Sequence, residues 1–202
     1  MLAVRDGSAS AFEELVLRYQ ARLVRVLEHL VNRRDQAEDL AQEVFLRVYR
    51  SRQQYEPGAK FATWLYTIAN NVASNAMRDR SRRHEVTLAS GESGSTGARP
   101  LDWMVQAGSG AMPTRQLDKA EMREVIRLAL ESLSERQRLA VLLNKFEGMS
   151  YADIAQTMDL SPKAIKSLLA RARDNLRAML EPYFEHGDWP SRHNGNAQDD
   201  PS

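Results

Sequence analysis

The chain of 202 residues contains no cysteine. A disulfide framework, a thiol nucleophile and a cysteine-ligated zinc site are therefore excluded, which agrees with a reducing compartment. No apolar run approaches the roughly 20 residues that a membrane-spanning helix needs, and the opening Met-Leu-Ala-Val-Arg-Asp lacks the character of a signal peptide. A cytoplasmic location is expected. The four histidines, His29, His84, His186 and His193, are scattered, and there is no HExxH, no P-loop and no glycine-rich dinucleotide loop. Glu38, Asp39 and Glu43 do not form an acid/base pair, since helical spacing places them on or near an exterior face. No catalytic residue, metal ligand, cofactor or small-molecule substrate is indicated, so the expectation is a protein without enzymatic activity. Nor does one sign of charge dominate, the net charge being +1. A hydrophobic fraction of 43% with 27% charged residues excludes fibrous and wholly disordered classes, and the length suits one domain or two small ones.

Charge is instead gathered locally, and most clearly in Ser150 to Arg177, SYADIAQTMDLSPKAIKSLLARARDNLR. Ser150 can cap a short helix with Asp153 closing a capping box, and Ile154, Ala155 and Met158 give that helix an apolar side. Asp159 and Leu160 make a turn. Ser161 caps a second helix and Pro162 takes its first position, where the missing N–H costs nothing. At about 100° per residue, Ile165, Leu168, Leu169, Ala172, Leu176 and Leu180 share one side, and Lys163, Lys166, Ser167, Arg171, Arg173 and Arg177 share the other. Two short helices, a tight turn and a basic face predict a DNA-binding helix-turn-helix.

The remaining chain is also helical in pattern. Ser10 with Glu13 predicts a capped helix running through Phe12, Leu15, Val16, Tyr19, Leu23, Val26, Leu27 and Leu30 to Val31. Asp35 with Glu38 opens a second, whose stripe is Ala37, Leu40, Ala41, Val44 and Val48, with Asp39, Gln42, Glu43 and Arg50 outside it. Pro57 and Gly58 end the connection that follows. A third helix from Lys60 to Arg83 turns Phe61, Trp64, Leu65, Ile68, Val72 and Met77 inward and ends in a cluster of Arg78, Arg80, Arg82 and Arg83. His84 to Asp118 holds five of the ten glycines around a lone LDWMV patch and is expected to be a flexible linker. Beyond it lie a helix from Leu117 to Ser132 and another capped by Ser134 and Gln137, with Gly148 as its left-handed terminator. The last residues, 185–202, show no periodicity and are expected to be a mobile tail. The fold class is all-α: two small helical domains, 8–83 and 119–184, joined by the linker 84–118, the second containing the helix-turn-helix.

The order of these stretches resembles the extracytoplasmic-function (ECF) sigma factors of the bacterial sigma-70 family. DQAEDLAQEVFLRVYR (Asp35 to Arg50) is similar to the family's segment for the clamp helices of core RNA polymerase, and the resemblance assigns Asp39, Gln42 and Glu43, with Phe45 beside them, to polymerase binding. FATWLYTIANNVASNAMRDRSRR (Phe61 to Arg83) is similar to the segment that opens and reads the minus-ten element. Lys60, Asn71, Arg78, Arg80, Arg82 and Arg83 are its implied DNA-binding residues. Leu133 to Arg177 resembles the domain that reads the minus-thirty-five element, with Lys163, Lys166 and Ser167 nearest the bases and Arg171 and Arg173 on phosphates. Leu168, at the edge of the apolar stripe, is expected to pack. The resemblance implies promoter DNA and core polymerase as partners and an anti-sigma factor, often membrane-tethered, as regulator. The alternative from the residues alone is an autonomous helix-turn-helix regulator; the acidic face of the second helix and the arginine cluster of the third favour the sigma factor.

Overall fold

The computed structural model describes residues 1–58, 60–90 and 119–186. The LDWMV patch of the expected linker and Trp189 of the expected tail lie outside the described residues. A four-residue helix α1 (Leu2–Arg5) precedes α2 (Ala9–Val31), α3 (Arg34–Arg50), a single 3₁₀ turn (Arg52–Gln54) and α4 (Phe61–Ser90). After the undescribed segment come α5 (Lys119–Glu131), α6 (Glu135–Lys145), α7 (Tyr151–Met158) and α8 (Pro162–His186).

Local chemistry accounts for most of the helix ends. Ser134 with Gln137 and Ser150 with Asp153 form the two expected capping boxes, each satisfying two N–H groups that the helix itself leaves free. Ser161 accepts from the N–H of Ala164 at 3.2 Å, so α8 also starts as expected. Asp159 takes the left-handed conformation at φ 52° that turns α7 into α8. Gly148, at φ 65°, does the same after α6, and the N–H of Met149 reaches back to the carbonyl of Leu143 at 3.0 Å.

Two starts differ. The cap of α2 is Ser8 rather than Ser10: the Ser8 hydroxyl accepts from the N–H of Ala11 at 3.2 Å, while Ser10 reaches only the Ser8 hydroxyl. Asp35 and Glu38 do not cap α3, because the helix begins at Arg34 and both lie inside it, paired with Arg33 at 2.5 Å and Arg34 at 3.0 Å. Two helices also run longer than the sequence suggests, α4 past Arg83 to Ser90 and α8 into the expected tail, to His186.

The first three long helices enclose a core. Leu23, Val26 and Leu27 of α2 meet Ala37, Ala41, Val44 and Val48 of α3 and Leu65, Tyr66, Ala69 and Val72 of α4, all buried. The alanines of α3 let its backbone approach α2 closely, and the larger side chains of α2 and α4 fill the space. The second core joins Leu130 of α5, Leu139, Leu142 and Leu143 of α6, Ile154 and Ala155 of α7, and Ile165, Leu169 and Ala172 of α8. The two cores meet: α4 packs on α7, and α2 on α6.

Candidate nucleic-acid and partner interfaces

The acidic face of α3 is solvent-exposed at Asp39 and Gln42, and Glu43 sits at its edge with Arg47 bonded to it at 2.6 Å. Phe45 is not part of that face. It is 7% exposed and stands edge-on to Phe12 of α2, with ring centroids 6.5 Å apart, because its position falls one residue past Val44 on the inward side of the helix. The apolar side chain that does accompany the acidic face is Leu46, which is 50% exposed. Sequence periodicity carried a signal for it: Leu46 is an apolar residue off the Ala37, Ala41, Val44, Val48 stripe. Leu46 borders a groove of about 1020 Å³ lined also by Val16, Leu17 and Val24 of α2 and Phe146 after α6.

On α4 the candidates lie along one helix but in different surroundings. Asn71, Arg78, Arg80 and Arg82 are exposed; the side chain of Arg83 lies outside the described residues. Arg78 is steered by a bond to Asn75 at 2.6 Å and another to the Ser74 carbonyl. Arg80 lines a small cleft with Arg33 and Asp39, so the basic end of α4 abuts the acidic face of α3. Trp64 is half-buried, its ring against Tyr55 at 5.4 Å and Phe61 at 6.2 Å. Lys60 is separated from that group: its ammonium lies 2.9 Å from the carboxylate of Asp153, at the start of α7. Lys60 and the Ser150 hydroxyl together hold the Asp153 carboxyl below its ordinary pKa, the serine bond being the larger cause.

On α8 the expected split of faces is present. Ile165, Leu169 and Ala172 are buried, and Lys163, Lys166, Ser167, Arg171, Arg173 and Arg177 are exposed. Leu168 is half-buried against the core, as its place at the stripe's edge suggests. A capped first helix, a left-handed turn at Asp159 and an exposed basic second helix are the geometry with which a helix-turn-helix presents side chains to a major groove.

Two family models match this chain, sigma-70 region 2 over residues 15–83 and sigma-70 region 4 over residues 123–176. The RNA polymerase sigma-H factor of Pseudomonas aeruginosa is 32% identical over 89% of this chain and 91% of its own length. The ECF RNA polymerase sigma-E factor of Haemophilus influenzae is 30% identical over 89% and 92%. The chain belongs to the ECF branch of the sigma-70 family. Among solved structures, the sigma factor RpoE of Bartonella quintana in complex with the anti-sigma factor NepR superposes with a TM-score of 0.66 at 29% identity, over 86% of this chain and 98% of that one. As an ECF sigma factor, the protein directs promoter-specific transcription with RNA polymerase. The region 2 match contains the acidic face of α3 and the exposed arginines of α4; the region 4 match contains both helices of the helix-turn-helix.

Some residues that the geometry brings forward had no counterpart in the sequence pattern. Arg22, Glu147, Thr63 and Arg138 join the region 2 and region 4 folds, and their partners lie far away along the chain. Among the described residues no helix is long and apolar enough to cross a membrane.

Proposed function

We propose that this sigma factor docks on the clamp helices of core RNA polymerase through Asp39, Gln42 and Glu43 of α3, with Leu46 taking the apolar role first assigned to Phe45. The exposed acidic face next to an exposed apolar side chain supports this, since charge steers and orients such contacts while apolar area stabilises them. Asn71, Arg78, Arg80, Arg82 and Arg83 of α4, with Lys60 before it, form the minus-ten surface. An amide and several cations suit the task of holding unstacked bases and their backbone. Lys163, Lys166 and Ser167 read base edges of the minus-thirty-five element, and Arg171 and Arg173 hold phosphates. The protein has no catalysis of its own, works in the cytoplasm, and is held by an anti-sigma factor as the Bartonella relative is by NepR.

The observation that carries this reading is the combination in one chain of an exposed acidic helix face and an exposed basic recognition helix, within the region 2 and region 4 matches respectively. Purified protein mixed with bacterial core polymerase forms a stable complex on gel filtration and starts transcripts at discrete genomic sites. A protein that binds duplex DNA tightly and specifically alone, and forms no complex with the polymerase, is an autonomous regulator instead.

A further inference from the structure

Resting on the assignment of α4 to the minus-ten element, we propose that the short helix α1 is a positioning element for strand opening. It braces the connection between α3 and α4, and so fixes the side chains of that connection and Lys60 for the separated strand. α1 (Leu2–Arg5) lies before the region 2 match, which begins at residue 15.

A single helical turn is too short to persist by itself, so whatever it packs on holds it. Val4 of α1 is nevertheless 1% exposed. The N–H groups of Asp6 and Ser8 return to the carbonyls of Leu2 and Ala3 at 3.0 and 2.9 Å, and Gly7, at φ 98°, turns the chain into the cap of α2. α1 lies against α2 on one side and against the 3₁₀ turn Arg52–Gln54 on the other. Across that second contact the side-chain amide of Gln53 donates to the carbonyl of Arg5 at 2.8 Å, 48 positions away. Arg5 is the last residue of α1, where a helix leaves its carbonyls without an internal partner.

The connection is also held at each end by its own helix. Toward α3, the Ser51 hydroxyl donates to the Arg47 carbonyl at 2.6 Å, and the Arg52 guanidinium donates to the Tyr49 carbonyl at 2.9 Å while lying over the Tyr49 ring. Toward α4, the Tyr55 ring stands edge-on to Trp64. These holds move with α3 and α4. The Gln53 bond instead ties the turn through α1 to α2, the helix against which both α3 and α4 pack. Gln54, Tyr55 and Lys60 then stand in series along the connection, an amide, an aromatic ring and a cation, which are the groups that hold a single strand. Side chains fixed before the strand arrives avoid the ordering cost that a loose connection incurs on binding. The brace leaves the polymerase face alone, because Asp39 and Gln42 lie roughly two to three turns before the end of α3.

Strand opening by the polymerase complex tests this. The full chain, Val4→Asp and a chain lacking residues 2–7 are compared, with 2-aminopurine fluorescence in the minus-ten element of a promoter duplex that the wild-type complex transcribes. Both α1 variants keep their affinity for labelled core polymerase within about twofold and slow opening about three- to tenfold, the scale of one lost hydrogen bond with its packing. Val4→Ile keeps the wild-type rate. Gln53→Ala slows the full chain to a similar extent and adds nothing to the shortened one. Opening at the wild-type rate without α1, a loss of polymerase affinity that matches the loss of opening, or a further effect of Gln53→Ala in the shortened chain would each overturn the brace. Hydrogen exchange decides the structural part in the free protein: without α1, the N–H groups of Gln54 and Tyr55, which bond to the carbonyls of Ser51 and Arg52, exchange at least about threefold faster while α3 keeps its rates. Unchanged exchange overturns the brace as well. The minus-ten assignment fails separately, when Arg80→Ala with Arg82→Ala leaves opening at the wild-type rate, and exchange in the free chain still decides the brace.

Discussion

The guanidinium of Arg138 donates to the carbonyl of His29, a residue 109 positions earlier in the chain, and also to the carbonyls of Glu131 and Leu133. One cation thus serves the C-terminal ends of two helices, α2 and α5, where unpaired carbonyls and the helix dipole favour positive charge. Burial depresses the pKa of Arg138 and the nearby Glu131 and Glu135 carboxylates oppose that, so the guanidinium stays charged. Replacing Arg138 by Met keeps much of the volume and removes all three donors. Buried carbonyls left without partners cost about 2 to 4 kcal/mol together, which a urea midpoint detects.

His29 itself predicts a pH dependence. Burial, with the positive charge of Arg138 as a smaller cause, lowers its pKa from 6.5 to about 4. Between those values the unfolded chain binds a proton that the folded chain refuses. Stability from this group is therefore complete above about pH 6.5, declines as pH falls, and levels off below about pH 4, a total of about 3 kcal/mol. His29→Gln removes that part of the slope. Thermal unfolding of the two proteins across this range tests it: parallel curves would show that His29 titrates normally.

What the sequence made legible follows the range of the interactions. The caps at Ser134, Ser150 and Ser161 are set by a residue and its neighbour three positions on, so the pattern predicts them. Ser8 and Ser10 are chemically equivalent candidates two residues apart. The left-handed Gly7, at φ 98°, turns the chain out of α1 just before Ser8, and Gly7 by itself does not announce that turn. Phe45 lies four residues past Ala41 and one past Val44, so its burial is legible in the stripe of α3 itself, and Phe12 of α2 meets it there. Asp153 was legible as a cap, but its second partner, Lys60, is 93 residues away, and no periodicity encodes that meeting.

The burial of Phe45 and the exposure of Leu46 let stability be separated from the proposed docking. Phe45→Ala empties a site in the core of α2 and α3 and costs about 3 kcal/mol of stability. Leu46→Ala and Asp39→Ala alter exposed positions and change stability by no more than about 0.5 kcal/mol. If α3 docks on polymerase, these two variants instead weaken the complex roughly tenfold each, as loss of an anchor and of a steering charge does. Titration of labelled core polymerase with each variant measures this, and unchanged affinity for both removes α3 from the interface.

If the basic face of α8 meets DNA as proposed, it makes two kinds of contact that salt can tell apart. Lys166 lies in the first turns of α8, the end that enters a major groove, and Arg173 lies two turns further, its Nε bonded to the Leu169 carbonyl. A phosphate contact releases counterions, so Arg171→Ala or Arg173→Ala reduces the slope of log affinity against log salt by about 1 and weakens all sequences alike. With all five basic residues from Lys163 to Arg177 on phosphates, the slope is no steeper than about −4 to −5. Lys166→Ala costs about 1 to 3 kcal/mol on the preferred minus-thirty-five sequence and much less on others, so it flattens the preference. Binding of the polymerase complex to matched and mutated promoters at several salt concentrations separates the two. A uniform loss for Lys166→Ala would move that residue to the phosphates and leave base reading to Lys163 and Ser167.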